Sequence, residues 1–285
     1  MSTPFTRVAI IGLGLQGGSI GLALAEYLPA VATTGYDRDP ATRTRAAERK
    51  LVGEVFDSAA QAVEGADLVI FCVPLGAMGD AARECAAALA PDAIISDVGS
   101  SKEAVAKALG EALPAHTIIP AHPVAGTENS GPDAGFASLF AGRWCIITPR
   151  EGEDEAKVAR LTTLWEAMGA KVEIMDAAHH DRVLAVTSHL PHLIAYTIVG
   201  TANDLEAVTQ SEVIKYSAGG FRDFTRIAAS DPTMWRDVFL SNKDAVLEML
   251  QRFTEDLTAL QRAIRRSIIE QGQDVASANF GRDEK

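Results

Sequence analysis

Arg7 to Gly21 reads RVAIIGLGLQGGSIG. A short apolar run, Val8 to Ile11, leads straight into Gly12, Gly14 and Gly17. This is G-x-G-x-x-G between a strand and a helix. Gly12 permits the tight turn out of the strand. Gly14 lets a pyrophosphate approach the backbone, and Gly17 lets the following helix pack against the sheet. The helix is expected over Ser19 to Leu28, with its N-terminal amides aimed at phosphate. A second apolar strand, Val31 to Tyr36, ends at Asp37, whose carboxylate suits both ribose hydroxyls of an adenosine. Gly12, Gly14, Leu15, Gly17 and Asp37 therefore form the expected dinucleotide cradle. Arg38 could bind a 2′-phosphate, but Asp37 beside it would repel one, so NAD is expected over NADP.

The chain is 285 residues long, 47% hydrophobic and 22% charged, with a formal net charge of −12. That length allows two domains with sizeable cores. The negative surface argues against nucleic acid or an anionic membrane as partner. No apolar run looks long enough to span a membrane and the first strand begins at once, so a cytoplasmic location is expected. Cys72, Cys85 and Cys145 are odd in number and widely spaced. They suggest neither a disulfide framework nor a zinc site.

Further along, Ala66 to Val73 is nearly all apolar, as in a central parallel strand buried on both faces. Pro74 stops it and puts Val73 and Pro74 beside the cofactor. Ala93 to Ser96 is the next strand. It opens into Asp97-Val98-Gly99-Ser100-Ser101-Lys102, where Ser100 or Ser101 can cap a helix starting near Lys102. Thr117 to Ala121 reads as one more strand and delivers His122-Pro123-Val124-Ala125-Gly126-Thr127-Glu128 on the loop after it. Histidine is the side chain best suited to proton chemistry near neutral pH.

Asn129 to Gly142 reads as loop, Trp144 to Thr148 as strand, Asp154 to Met168 as helix and Lys171 to Met175 as strand. The fold class is thus a Rossmann-type, mostly parallel α/β sheet domain over residues 1–175. An all-α domain follows over 176–285, and 273–285 reads as a disordered tail. Pro191 interrupts the apolar helix Leu184 to Val199. Within it His189 and His192 share a face, but no acidic or cysteine ligand lies nearby and no metal is expected. Arg222 can be surface charge, whereas the apolar Ile227-Ala228-Ala229 after Arg226 put that residue near the core. From Asn242 to Gln271, Val246, Leu250, Phe253, Leu257, Leu260, Ile264 and Ile268 recur every three or four residues. That stripe suits helix packing, against a second subunit or within the chain.

Taken in order, the glycine fingerprint, Gly35-Tyr36-Asp37, Asp97-Val98-Gly99-Ser100, His122 to Glu128, Ser188-His189-Leu190-Pro191-His192 and Phe221 to Ala228 leading to Met234-Trp235 resemble the prephenate/arogenate dehydrogenase family of tyrosine biosynthesis. The resemblance runs from about Arg7 to Gly272. It implies a helical domain that forms a homodimer, and oxidative decarboxylation of prephenate or arogenate with NAD. It further implies that His122 is the base and that Ser100 hydrogen-bonds the ring hydroxyl or His122. Arg226 would bind a substrate carboxylate. Glu128 and Asp223 would form ion pairs around the pocket, and His192 and Trp235 would line it. The chain has no room for a fused mutase or regulatory domain. Two other readings fit the fold: a β-hydroxyacid or imine-type reductase, and a non-catalytic NAD sensor.

Overall fold

A computed structural model describes residues 3–127, 129–209 and 219–265. Glu128, residues 266–271 of the expected long helix and the expected tail lie outside the described residues.

The first layer runs β1 (Arg7–Ile11), α1 (Leu15–Tyr27), β2 (Ala32–Tyr36), α2 (Pro40–Glu48), β3 (Glu54–Val55), α3 (Ala59–Val63), β4 (Leu68–Phe71), α4 (Met78–Cys85), β5 (Ile94–Asp97), α5 (Lys102–Ala112) and β6 (Thr117–Ile118). Its six strands lie in the order β3-β2-β1-β4-β5-β6, and every pairing is parallel. This is the doubly wound dinucleotide-binding order. Side chains alternate across the sheet. Val8, Ile10, Leu68 and Ile70 feed one core, with Trp165 and Phe140. Ala9, Ile11, Val69 and Phe71 feed the other, against α3, α4 and α5. Helix α1 begins at Leu15, inside the fingerprint and four residues before the expected start. The glycines mask it by propensity, yet a Cβ on Gly17 would sit 1.9 Å from the Gly12 carbonyl oxygen.

The expected strand Thr117–Ala121 is not one strand. The chain leaves the six-stranded sheet after Ile119, whose N–H still donates to the Ile95 carbonyl at 2.8 Å. Pro120 has no N–H to continue the ladder. β7 (Ala121–Pro123) then joins a second sheet with β8 (Trp144–Ile147) and β9 (Lys171–Ile174), separated by α6 (Glu155–Ala167). β7 runs antiparallel to β8, with His122 opposite Ile146. His122 is therefore within a strand and not on the loop after one. The loop 129–142 holds two short 3-10 turns.

The helical layer follows as α7 (Ala177–Leu184), a π turn over Ala185–His189, α8 (Leu190–Thr209), α9 (Gly219–Ala228), α10 (Pro232–Ser241) and α11 (Lys243–Arg265). Pro191 does not interrupt the helix. The wider π turn just before it absorbs the missing donor. Ala177–Leu205 is also long and apolar enough, at 29 residues and hydropathy 1.4, to cross a membrane by length and composition. That corrects the expectation that no such run exists. The same stretch contains the buried His180, Asp181 and His189, while 22% of its apolar window is buried in the single chain.

One buried ion pair fastens the two sheets together. Lys102 Nζ donates to Asp97 Oδ2 at 2.6 Å and to the Ala121 carbonyl at 2.7 Å. Asp97 accepts in turn from the N–H groups of Gly99 (2.6 Å) and Ala121 (3.2 Å). Both charged side chains are 0% exposed. Lys102→Met should therefore cost about 3–5 kcal/mol, because it strands a buried carboxylate. Chemical denaturation measures this, and pairing it with Asp97→Leu should recover much of the loss.

Candidate active site

Gly12 turns the chain with φ +100°, and its N–H donates to the Tyr36 carbonyl at 2.8 Å. A Cβ there would meet the Cys72 carbonyl oxygen at 2.5 Å and Val73 Cγ1 at 3.2 Å, so the turn lies on the end of β4. Gly14 differs: a Cβ on it meets nothing within 4 Å. The protein's own packing does not call for glycine there, whereas a phosphate against the α1 N-terminus does. Asp37 is held across this turn. Its Oδ2 accepts the Leu13 N–H and its Oδ1 the Asp39 N–H, both at 2.9 Å. Arg38 is exposed beside it, Leu15 and Val73 are half-buried, and Pro74 is exposed. This cradle fits a dinucleotide.

Gln16, next to Leu15, ties the cradle to the segment after His122: its Nε2 donates to the Ala125 carbonyl at 2.5 Å. His122 itself is buried. Its Nδ1 lies 2.9 Å from His180 Nε2, and His180 Nδ1 lies 2.7 Å from Asp181 Oδ1. The ring partner of His122 is therefore His180 and not Ser100. Burial pushes the His122 imidazole well below its ordinary value, and His180, Lys102 and His189 push it the same way. The ring is neutral at neutral pH.

Ser100 sits half-buried on the β5–α5 turn. Neither serine caps α5 through its side chain. Ser101 Oγ bonds Ser241 Oγ at 2.8 Å. The cap comes from Asp181, which accepts the N–H groups of Lys102 (2.7 Å) and Glu103 (3.1 Å). Asn242 Nδ2 bonds the Asp181 carbonyl at 2.7 Å and reaches His189 Nδ1 at 3.1 Å. His192 stacks on Trp235 with centroids 3.5 Å apart, and His189 meets the same indole edge-on at 6.1 Å. The two histidines do share a face, and it is turned to Trp235. No group of three metal-ligating side chains occurs among the described residues.

Arg226 is not buried as its neighbours suggested. It is exposed on α9, as are Arg222 and Asp223, because Ile227 and Ala228 are only half-buried and Ala229 is exposed. Among the described residues none of these three has an ion-pair partner. Gln16, Lys102, His180, Asp181 and Asn242 escaped the reading of the sequence. The only signal for the acidic member was a histidine beside an aspartate in the middle of a short helix.

Residues 20–174 match the family described as prephenate dehydrogenase, nucleotide-binding domain, and residues 176–275 match its dimerization domain. The chain belongs to the prephenate dehydrogenase family. It is 47% identical over 262 residues to a cyclohexadienyl dehydrogenase of Zymomonas mobilis, covering 92% of this chain and 89% of that protein. It is 32% identical to a prephenate dehydrogenase of Bacillus subtilis, covering 89% and 69%. The structure of a prephenate dehydrogenase from Aquifex aeolicus, in complex with hydroxyphenyl propionate and NAD+, superposes with a TM-score of 0.89 at 32% identity and covers 99% of each chain.

The buried histidines set the response to acid. Burial lowers His189 from 6.5 to about 4, more than Asp181 and the Ser100 backbone pull it up. Between those values the unfolded chain binds more protons than the folded one, so stability is lost as pH falls below 6.5. From pH 7 to pH 5, His189 alone should remove about 2 kcal/mol. Denaturation midpoints at the two pH values measure it, and equal midpoints would mean that the ring is already charged when folded.

Proposed function

We propose that the chain catalyses oxidative decarboxylation of prephenate to 4-hydroxyphenylpyruvate with NAD+, in tyrosine biosynthesis and in the cytoplasm. The observation that carries this is His122, a buried neutral imidazole tied through Gln16 and Ala125 to a dinucleotide turn. A dinucleotide held by the Gly12–Gly14 turn and Asp37 would supply the hydride acceptor for the ring carbon that bears the hydroxyl. His122 accepts the hydroxyl proton as that hydride leaves, and returns it to the phenolate oxygen once CO2 has gone and the ring is aromatic. Aromatisation drives the loss of CO2, so the site needs a base, a cation and a placed nicotinamide.

Arg226 supplies the cation for a substrate carboxylate. α9 packs on α8, which carries His192, and Tyr196 of α8 bonds the Ser230 carbonyl at 2.8 Å. In the assembled site Asp223 pairs with an arginine at the pocket, Ser100 bonds the ring hydroxyl, and His192 with Trp235 closes the apolar side. Asp37 selects NAD. The functional unit is a homodimer through the C-terminal helices. Leu247 and Ile264 on α11 are 59% and 70% exposed in the single chain, and Phe224 on α9 is exposed too. A second copy would cover such faces.

Arogenate, with an amino group where prephenate has a keto group, is the second reading. The cyclohexadienyl name of the Zymomonas relative favours keeping it. The test is reduced-nicotinamide absorbance with prephenate or arogenate against NAD+ or NADP+. Prephenate with NAD+ should be the fastest pair. His122→Asn should lower kcat by about 10²–10⁴ with binding mostly kept. Turnover of 3-hydroxy acids at a comparable rate would favour the reductase reading, and no turnover at all the sensor.

Arg226→Ala should weaken substrate binding by about 2–5 kcal/mol, seen as a raised KM. An unchanged KM would move the carboxylate contact to another residue such as Arg222.

A further inference from the structure

Behind His122, and resting on the reading of that residue as the base, stands a second histidine with an aspartate. His180 and Asp181 are both buried, and the reaction as described uses neither. Asp181 faces three N–H donors: Lys102 and Glu103 of the α5 backbone, and the His180 ring. A carboxylate so placed only accepts. His180 Nδ1 therefore carries the proton of its 2.7 Å bond, and in the tautomer with a single ring proton Nε2 is bare. That bare nitrogen lies 2.9 Å from His122 Nδ1, so His122 Nδ1 must be the donor there. His122 Nε2 is then left with a free lone pair. We propose that His180 and Asp181 are positioning residues that hold His122 in the one tautomer and ring orientation able to take the substrate's hydroxyl proton.

The arrangement also suits the charged form. Once Nε2 is protonated, the Nδ1–H bond to His180 persists, and the new cation lies one ring away from the Asp181 carboxylate. No second proton transfer is needed. Asp181 is in turn fixed by the N-terminus of α5, where the helix dipole favours an anion. The same turn carries Ser100. The orientation of the base is thereby referred to the strand end and helix start that face the substrate.

A purely structural pair would act on stability alone, so the test separates the two. His180→Leu should lower kcat by about 10–100-fold while KM stays within about threefold. In the His122→Asn background the same change should cost less than about twofold, because a residue acting through the base has nothing left to orient. His180→Gln keeps an acceptor within reach of Nδ1 and should recover most of kcat; it also serves if the leucine variant does not fold. Nitrogen-15 NMR gives a reading independent of turnover. The wild-type His122 should show a protonated Nδ1 and a bare Nε2, and His180→Leu a mixture of tautomers. Wild-type kcat in His180→Leu, or an undiminished loss in the double variant, would overturn the proposal while His122 remains the base. Wild-type kcat in His122→Asn would overturn the base itself and this proposal with it.

Discussion

Two buried charges, Asp97 and Lys102, hold the molecule's working parts together. Removing both from water costs several kcal/mol per ion, and their attraction repays that only with good geometry and full hydrogen bonding. Here the contacts are short, and two of the three ammonium donors have partners. The lysine has the carboxylate and a backbone carbonyl, and the carboxylate has the lysine and two backbone N–H groups. What the pair determines is position. Its partners lie on β5, on the first residue of α5 and on the first residue of β7, three places that share no strand ladder. The strand carrying His122 thus takes its place from a charge pair on the six-stranded sheet, although it belongs to the second sheet.

The turn 97–102 is gripped from the other side as well. Asp181, from the helical layer, caps α5 at Lys102 and Glu103. One carboxylate comes from the sheet and one from the helices, and both hold the same short turn. Ser101 adds a bond to Ser241. Helical and sheet layers are thereby registered against each other by polar contacts of fixed length. An apolar interface alone could slide by part of a helical turn. A site with His122 on one layer and the stacked Trp235 and His192 on the other needs that registration.

The parts of this plan that follow local rules could be read from the chain. The glycine turn, the apolar runs of β1 and β4, Asp37 and the switch to helices after the last strand all carry their own signals of spacing or composition. The second sheet did not, because β6 and β7 are two and three residues long and only Ile119 and Pro120 separate them. A missing N–H is visible in sequence, but which sheet the next residues join is decided by Asp97 and Lys102 at long range. His180 and Asp181 stand 58 and 59 residues beyond His122, and no periodicity links them. Arg226 was misjudged for the opposite reason. Its apolar neighbours signal a covered face, and within the single chain that face is open.

The depressed basicity of His122 is at first sight unhelpful in a base. An imidazole well below its ordinary value holds a proton poorly. Burial is the main cause, because desolvation penalises the charged form of the ring. A dianionic substrate changes that balance: an opposite charge within a few ångströms favours the imidazolium, by more in a dry site than in water. The same low dielectric that keeps His122 neutral in the free protein strengthens the pull of the substrate once bound. Basicity then rises with occupancy. The net charge of −12 adds little at this range, since exposed charges are screened within about 10 Å at ordinary ionic strength. In the proposed reaction the base is governed by what sits beside it, and the protein's contribution is to bury the ring and hold it against His180.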